Sequence, residues 1–249
     1  MPEHLIWLIL ASLMIGLAKG GLSTMAGLAV PFLAIFMNPI EAAALTLPVF
    51  LVTDWFAVWL YRQNASMKNV AILVPSSLAG IAVATIIVGF APESLLLILT
   101  ASVGLWTCLR SWLGNSADTA ARPPEVGRGV FWGVITGITT FITHTGAPPA
   151  QVYLLPQKLS RLAFAGTMAI VFAIANLSKL PGYHTLGLFQ DFPLGLAASL
   201  AGVGLVGTAA GRQIVLRLTD QAYVRIVEVM LFVLSMALFW KAFSIQMGA

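Results

Sequence analysis

The sequence predicts an all-α integral membrane protein made of two inverted repeats, with about eight to ten transmembrane segments in all. Each repeat is a broken, re-entrant helix pair followed by three spanning helices. Three observations predict this fold. The chain is 59% hydrophobic and only 9% charged, where a soluble domain carries about 25% charged residues. Its apolar residues fall into runs about one bilayer long. Two further apolar stretches, one in each half of the chain, are interrupted by Gly, Pro, Ser and Thr.

The unbroken runs are 40–61, 70–90 and 94–113 in the first half and 162–180, 192–211 and 223–243 in the second. A spanning helix needs about 20 residues, so each is one predicted crossing. The first interrupted stretch has apolar pieces at 5–15 and 28–37 around the segment 16–27. The second has pieces at 130–142 and 150–155 around 143–149. Each piece is expected to be too short to span. Such breaks are tolerated only where protein or a watery cavity covers the freed backbone, and paired breaks in two halves point to a transporter's binding site.

A polar segment at 114–128 divides the chain into a first membrane repeat at 1–113 and a second at 129–249. The halves share their order of elements. Ser77-Leu78-Ala79-Gly80 recurs as Ser199-Leu200-Ala201-Gly202, and on nearly the same offset Thr46 pairs with Thr167 and Gly16 with Gly137. Small residues spaced by four, such as Gly133 and Gly137, also suit close packing of membrane helices.

Loop charge predicts orientation. Arg62 and Lys68, then Arg110, Arg122 and Arg128, then Lys158 and Arg161, and finally Arg212 and Arg217 cluster around four connections, which the positive-inside rule makes cytoplasmic. The loops near Asn38, Glu93 and Asp191 lack such clusters and are expected outside. Eight simple crossings put Lys158 and Arg161 on the wrong side. If each broken stretch enters and returns, every basic loop falls inside, the halves invert, the 114–128 linker is cytoplasmic and both termini are external. Lys179, close to a predicted external loop, runs against this scheme.

The breaks carry the candidate chemistry. The first holds Lys19, Gly20, Gly21, Ser23 and Thr24. Glycines let backbone N–H groups approach a ligand, helix N-termini favour anions, and hydroxyls and a lysine add donors. The second holds Thr139, Thr140, Thr143, His144, Thr145 and Gly146. Both favour a small oxyanion. The alternatives are packing glycines and a lysine snorkelling to the surface. His144 either donates to the anion, carries a coupling proton, or is a hydrogen-bonded structural residue. Asp54, inside an apolar run, either binds a proton, pairs with Lys19, or sits at the cytoplasmic interface among Trp55, Trp59 and Arg62. Asn176 is a further candidate for the cavity. Arg225 and Glu228 have the spacing of a local ion pair.

The lone Cys108 lies in an apolar run and is expected to be buried and inert. There is no P-loop, no His-Glu-x-x-His and no Gly-x-Ser-x-Gly, so neither direct ATP use nor hydrolysis is expected. The net charge of +4 lies in loops that set orientation, which removes the argument for nucleic acid. These features predict a secondary transporter using alternating access around a midplane site, with an anion channel as the alternative. No cofactor and no metal are expected. The expected partners are a small anion, the lipid bilayer and a second copy of the chain in a homodimer.

The first break, GLAKGGLSTMAGLAVPFLA with its Pro31, the Thr46 run ending in Tyr61-Arg62-Gln63, the basic mid-chain linker and the second break, GITTFITHTGAPPAQVYLL, resemble the TauE/SafE sulfite exporter family over essentially the whole chain. The resemblance implies export of a sulfur-containing anion such as sulfite, sulfoacetate or another organosulfonate, or thiosulfate, across a bacterial inner membrane, so that the external termini are periplasmic. It implies two related halves around a central site. Thr143, His144 and Thr145 stand where family members often carry more glycine.

Overall fold

The computed structural model describes residues 5–19, 26–113, 121–189, 194–215 and 220–247. Among them are ten α-helices and no strand: α1 (Leu5–Lys19), α2 (Ala26–Leu33), α3 (Pro39–Tyr61), α4 (Met67–Val88), α5 (Glu93–Leu113), α6 (Val126–Thr143), α7 (Ala147–Leu154), α8 (Arg161–Thr185), α9 (Leu194–Val215) and α10 (Asp220–Gln246).

Local chemistry explains where the helices start and stop. Asn38 accepts from the Ile40 amide at 3.0 Å and Pro39 opens α3, a capped start that needs no fourth donor. Ser160 caps α8 by accepting from the Ala163 amide. His144 closes α6 in the left-handed region, with φ 55°, and Pro148 and Pro149 then open α7. Buried threonines return their hydroxyls to the preceding turn, as Thr46 does to Ala42 and Thr167 to Ala163. Those hydroxyls are thereby paired within their own helices.

Helices α3, α4, α5, α6 and α8 are long and apolar enough to cross a membrane. Large apolar side chains such as Trp59, Ile86, Phe90, Val206 and Trp240 stand exposed on the outside, a surface that lipid solvates and water does not. One expectation fails here. The first piece of the second break is not short, because α6 continues back through Gly129, Arg128 and Gly127 to Val126 and reaches 18 residues. The polar start of that helix was hidden by its arginine and glycines.

The chain connections gather on two faces. On one, Trp7 at the start of α1 stacks on Phe36 beyond the end of α2, with centroids 4.5 Å apart. There Lys241 near the end of α10 donates to the Ala34 carbonyl at 3.0 Å and pairs with Glu93 at 3.1 Å. On the other, the Arg122 amide donates to the Pro156 carbonyl at 2.9 Å, Asn69 to Gln157 at 2.9 Å, and the Ser66 amide to Thr167 Oγ1 at 2.9 Å. Arg62, Lys68, Arg122, Arg128 and Lys158 belong to this second face. The start of α1 therefore lies beside the end of α2, and the start of α6 beside the end of α7.

Helix pairing crosses the midpoint of the chain. The most extensive interfaces join α4 to α6, α1 to α9, α5 to α10 and α3 to α8. Exchanging α1–α5 with α6–α10 in order leaves this set unchanged. The detail agrees: a Cβ on Gly16 would lie 2.0 Å from the Gly204 carbonyl oxygen and 3.0 Å from Gly207 Cα, and one on Gly137 would lie 2.1 Å from the Ser77 oxygen and 2.9 Å from Gly80 Cα. Only glycine permits backbones this close. Gly16 and Gly137 thus hold like places in the two seams, as do Gly207 and Gly80, whereas Gly202, in the second Ser-Leu-Ala-Gly copy, has open space beside it.

Candidate functional site

Four helices meet where the chain is broken. The main core joins α1, α2, α3, α4, α6 and α8, and within it lies a cavity of about 450 Å³ lined in part by Lys19, Phe50, Thr140, His144, Gln151 and Asn176. Lys19 is the last residue of α1. Asp54 and Phe50 come from α3, Thr140 from α6, and Asn176 and Lys179 from α8.

The polar groups form two linked clusters. Lys19 Nζ is ion-paired with Asp54 Oδ1, and Asn176 Nδ2 donates to Asp54 Oδ2 at 2.5 Å. Asp54 is 0% exposed, while the Lys19 side chain retains 20%. The second cluster centres on His144. Its Nε2 lies 2.9 Å from the Ala43 carbonyl, which can only accept, so Nε2 carries the hydrogen. Its Nδ1 lies 2.6 Å from Lys179 Nζ and, facing an ammonium, accepts. Both contacts are met by the neutral ring. Lys179 also donates to Thr140 Oγ1 at 3.0 Å. The imidazole stacks on Phe50 with centroids 4.2 Å apart, and Lys19 Nζ lies 5.9 Å from the same ring. The αL cap at the end of α6 is what turns the histidine into this position. Non-glycine residues adopt that conformation at a cost.

With both lysines ionised, the two lysines, one aspartate and a neutral histidine would sum to one net positive charge in a largely buried space. An ionised lysine at membrane depth costs about 2.5–3.5 kcal/mol on insertion scales. Asp54 offsets one of the two. The other is held only by neutral partners, an imidazole nitrogen and a hydroxyl. The arrangement brings lysine amines, a threonine hydroxyl and the Phe50 ring to one place, groups of the kind that bind anions.

Of the residues expected at the site, Lys19, His144 and Asn176 line this one cavity and Asp54 ties Lys19 to Asn176. Asp54 is buried and pairs with Lys19. Thr143 and Thr145 are buried in the break with their hydroxyls 2.5 Å apart. Thr145 lines a second cavity of about 280 Å³, beside Trp106, Cys108 and Arg110. Gly146 is a packing glycine: a Cβ there would lie 2.7 Å from Thr140 Cβ and 2.9 Å from the Thr136 oxygen. Gly20, Gly21, Ser23 and Thr24 lie outside the described residues. Cys108 is buried, as expected.

Lys179 is the residue the sequence reading misplaced. It is 0% exposed and belongs to the site, not to a loop. The helix does not stop before Pro181 but runs through it to Thr185, which carries Lys179 inward. The available signal was its spacing of three from Asn176, which places both on one helical face.

The family model described as "Sulfite exporter TauE/SafE" matches residues 8–238. No curated protein and no solved structure matches the chain.

Proposed function

The chain belongs to the TauE/SafE sulfite exporter family, and from that premise we propose that it is a secondary transporter, not an enzyme, that exports a small sulfur-containing anion. Sulfite, sulfoacetate or a related organosulfonate, and thiosulfate are the class. The site is the cavity lined by Lys19, His144 and Asn176, backed by Lys179 through His144 and Thr140, and the mechanism is alternating access around it.

One observation carries this reading: Lys179 is fully buried with only neutral partners, His144 and Thr140. Ionisable side chains buried at membrane depth mark substrate or ion pathways, and Asp54 alone cannot balance two ionised lysines. The approach of α1 to α2 and of α6 to α7 at opposite faces supports two re-entrant hairpins, and the exchange of helix pairings supports inverted repeats. On that topology the basic face is cytoplasmic and both termini are periplasmic, in a bacterial inner membrane. Asp54, paired with Lys19, is the candidate to take up a proton when the anion takes Lys19 from it. His144 is the second candidate.

The test is saturable uptake of labelled sulfite into proteoliposomes, with binding followed by thermal shift against sulfite, thiosulfate, sulfoacetate, sulfate and chloride. Saturation and stabilisation by sulfur anions over chloride are expected. Flux that rises linearly without saturation would instead mark a channel.

A further inference from the structure

Asn176 leaves one of its polar atoms unused. Its Nδ2 donates to Asp54 Oδ2, and a carboxylate ionised by its lysine only accepts, so the orientation of the amide is fixed by chemistry. Its Oδ1 is buried and has no hydrogen-bond partner among the described residues. The residue is 2% exposed and lines the cavity. Buried acceptors of this kind are nearly always paired in native proteins, and leaving one unpaired is costly.

The other polar groups here have a different character. Lys19, Lys179 and Thr140 are donors, suited to the oxygens of an anion. His144 has already spent its N–H on Ala43. Nothing that an ordinary oxyanion presents, acceptor oxygens alone, would satisfy Asn176 Oδ1.

We propose that the substrate is a sulfur oxyanion that carries its own hydrogen-bond donor, an O–H or N–H, and that Asn176 Oδ1 reads that donor. Hydrogensulfite and hydroxy- or aminosulfonates carry such a donor; thiosulfate dianion and plain alkylsulfonates do not. The sulfur oxyanion rests on the transporter reading above, while the donor requirement rests on Asn176.

Two matched pairs of monoanions test it by calorimetric titration of the full-length protein in detergent: sulfamate against methanesulfonate, and 2-hydroxyethanesulfonate against ethanesulfonate. Within each pair size and charge are nearly equal, and only the donor differs. 2-Methoxyethanesulfonate, which has the oxygen without its hydrogen, controls for polarity. The donor-bearing member should bind at least about tenfold more tightly in whichever pair is accepted, and the methoxy compound should behave as the donor-free one. Asn176→Leu should bring the ratio within about threefold while still binding the donor-free anion. Equal affinities in the native protein, or a ratio that survives Asn176→Leu, would overturn the assignment. If the variant does not fold, the native ratios decide alone. If sulfite binds but no member of either pair does, the donor proposal falls and the transporter reading stands; if no sulfur anion binds, both fall.

Discussion

Lys179 Nζ lies 2.6 Å from His144 Nδ1 and 3.0 Å from Thr140 Oγ1, so one lysine on α8 grips both the last turn of α6 and the residue that breaks it. The break and the charge are therefore parts of one device, and changes at Lys179 report on both.

Replacing that charge should abolish transport. Lys179→Met keeps length and apolar bulk but removes the ammonium. Saturable sulfite uptake in proteoliposomes should fall at least about tenfold, equivalent to one lost charge-assisted contact, while the protein still elutes as a single species on size exclusion. Uptake unchanged from the native protein would take Lys179 out of the site.

The Lys19–Asp54 pair should behave as a coupled unit. Removing one partner leaves the other charge uncompensated, and Asp54 is the more buried of the two. Asp54→Ala should destabilise by about 1–3 kcal/mol, less than for a fully buried pair because Lys19 is partly exposed. The Lys19→Ala/Asp54→Ala double variant should be less damaged than the sum of the singles by about 1 kcal/mol. Melting midpoints of the three variants in detergent give the comparison; strict additivity would mean the pair is not formed.

Glycine substitutions should divide by position. Gly16→Ala and Gly137→Ala drive a methyl into a backbone oxygen at 2.0 and 2.1 Å, and each should cost about 1–3 kcal/mol through forced separation of helices. Gly202→Ala meets nothing within 4 Å and should be neutral or stabilising by up to about 1 kcal/mol through helix propensity. Thermal melts of the three would contradict the packing if Gly202→Ala were the most damaging.

Cysteine labelling should separate the two faces. Cys108 is buried and should not react in the folded protein. Arg62→Cys, Lys68→Cys and Arg122→Cys should be reached by an impermeant maleimide from the cytoplasmic side only, and Asn38→Cys and Glu93→Cys from the periplasmic side only. Labelling of Arg62→Cys and Glu93→Cys from the same side would break the inverted scheme.

Much of this organisation was legible in the residues themselves. The glycines, prolines and threonines around His144 announced a break because no lipid-facing helix tolerates them without cover. The scatter of Arg62, Lys68, Arg122 and Lys158 grouped the connections because lysine and arginine leave lipid wherever they can. Asp54 stood out as a carboxylate in an apolar run. What stayed hidden was whatever depends on helix length and register. Pro181 looks like a stop, yet in a buried helix neighbours tolerate it, so Lys179 was placed at a helix end close to an external loop. That Gly207 and Gly80 hold like places is invisible in the letters because Gly207 is recognised only by what it touches, the Gly16 backbone across α1 and α9. Asn176 was legible as a polar residue near a helix end, but which of its two amide atoms is committed depends on a carboxylate 122 positions away.

The glycine seams tie each half of the polypeptide to the other: α1 is fastened to α9, and α4 to α6. Any bodies that slide past one another are therefore mosaics drawn from both halves. Cutting the chain within 114–128 should do little harm provided both pieces are made together, whereas either piece made alone would face the membrane with a bare glycine groove and no helix of its own to fill it.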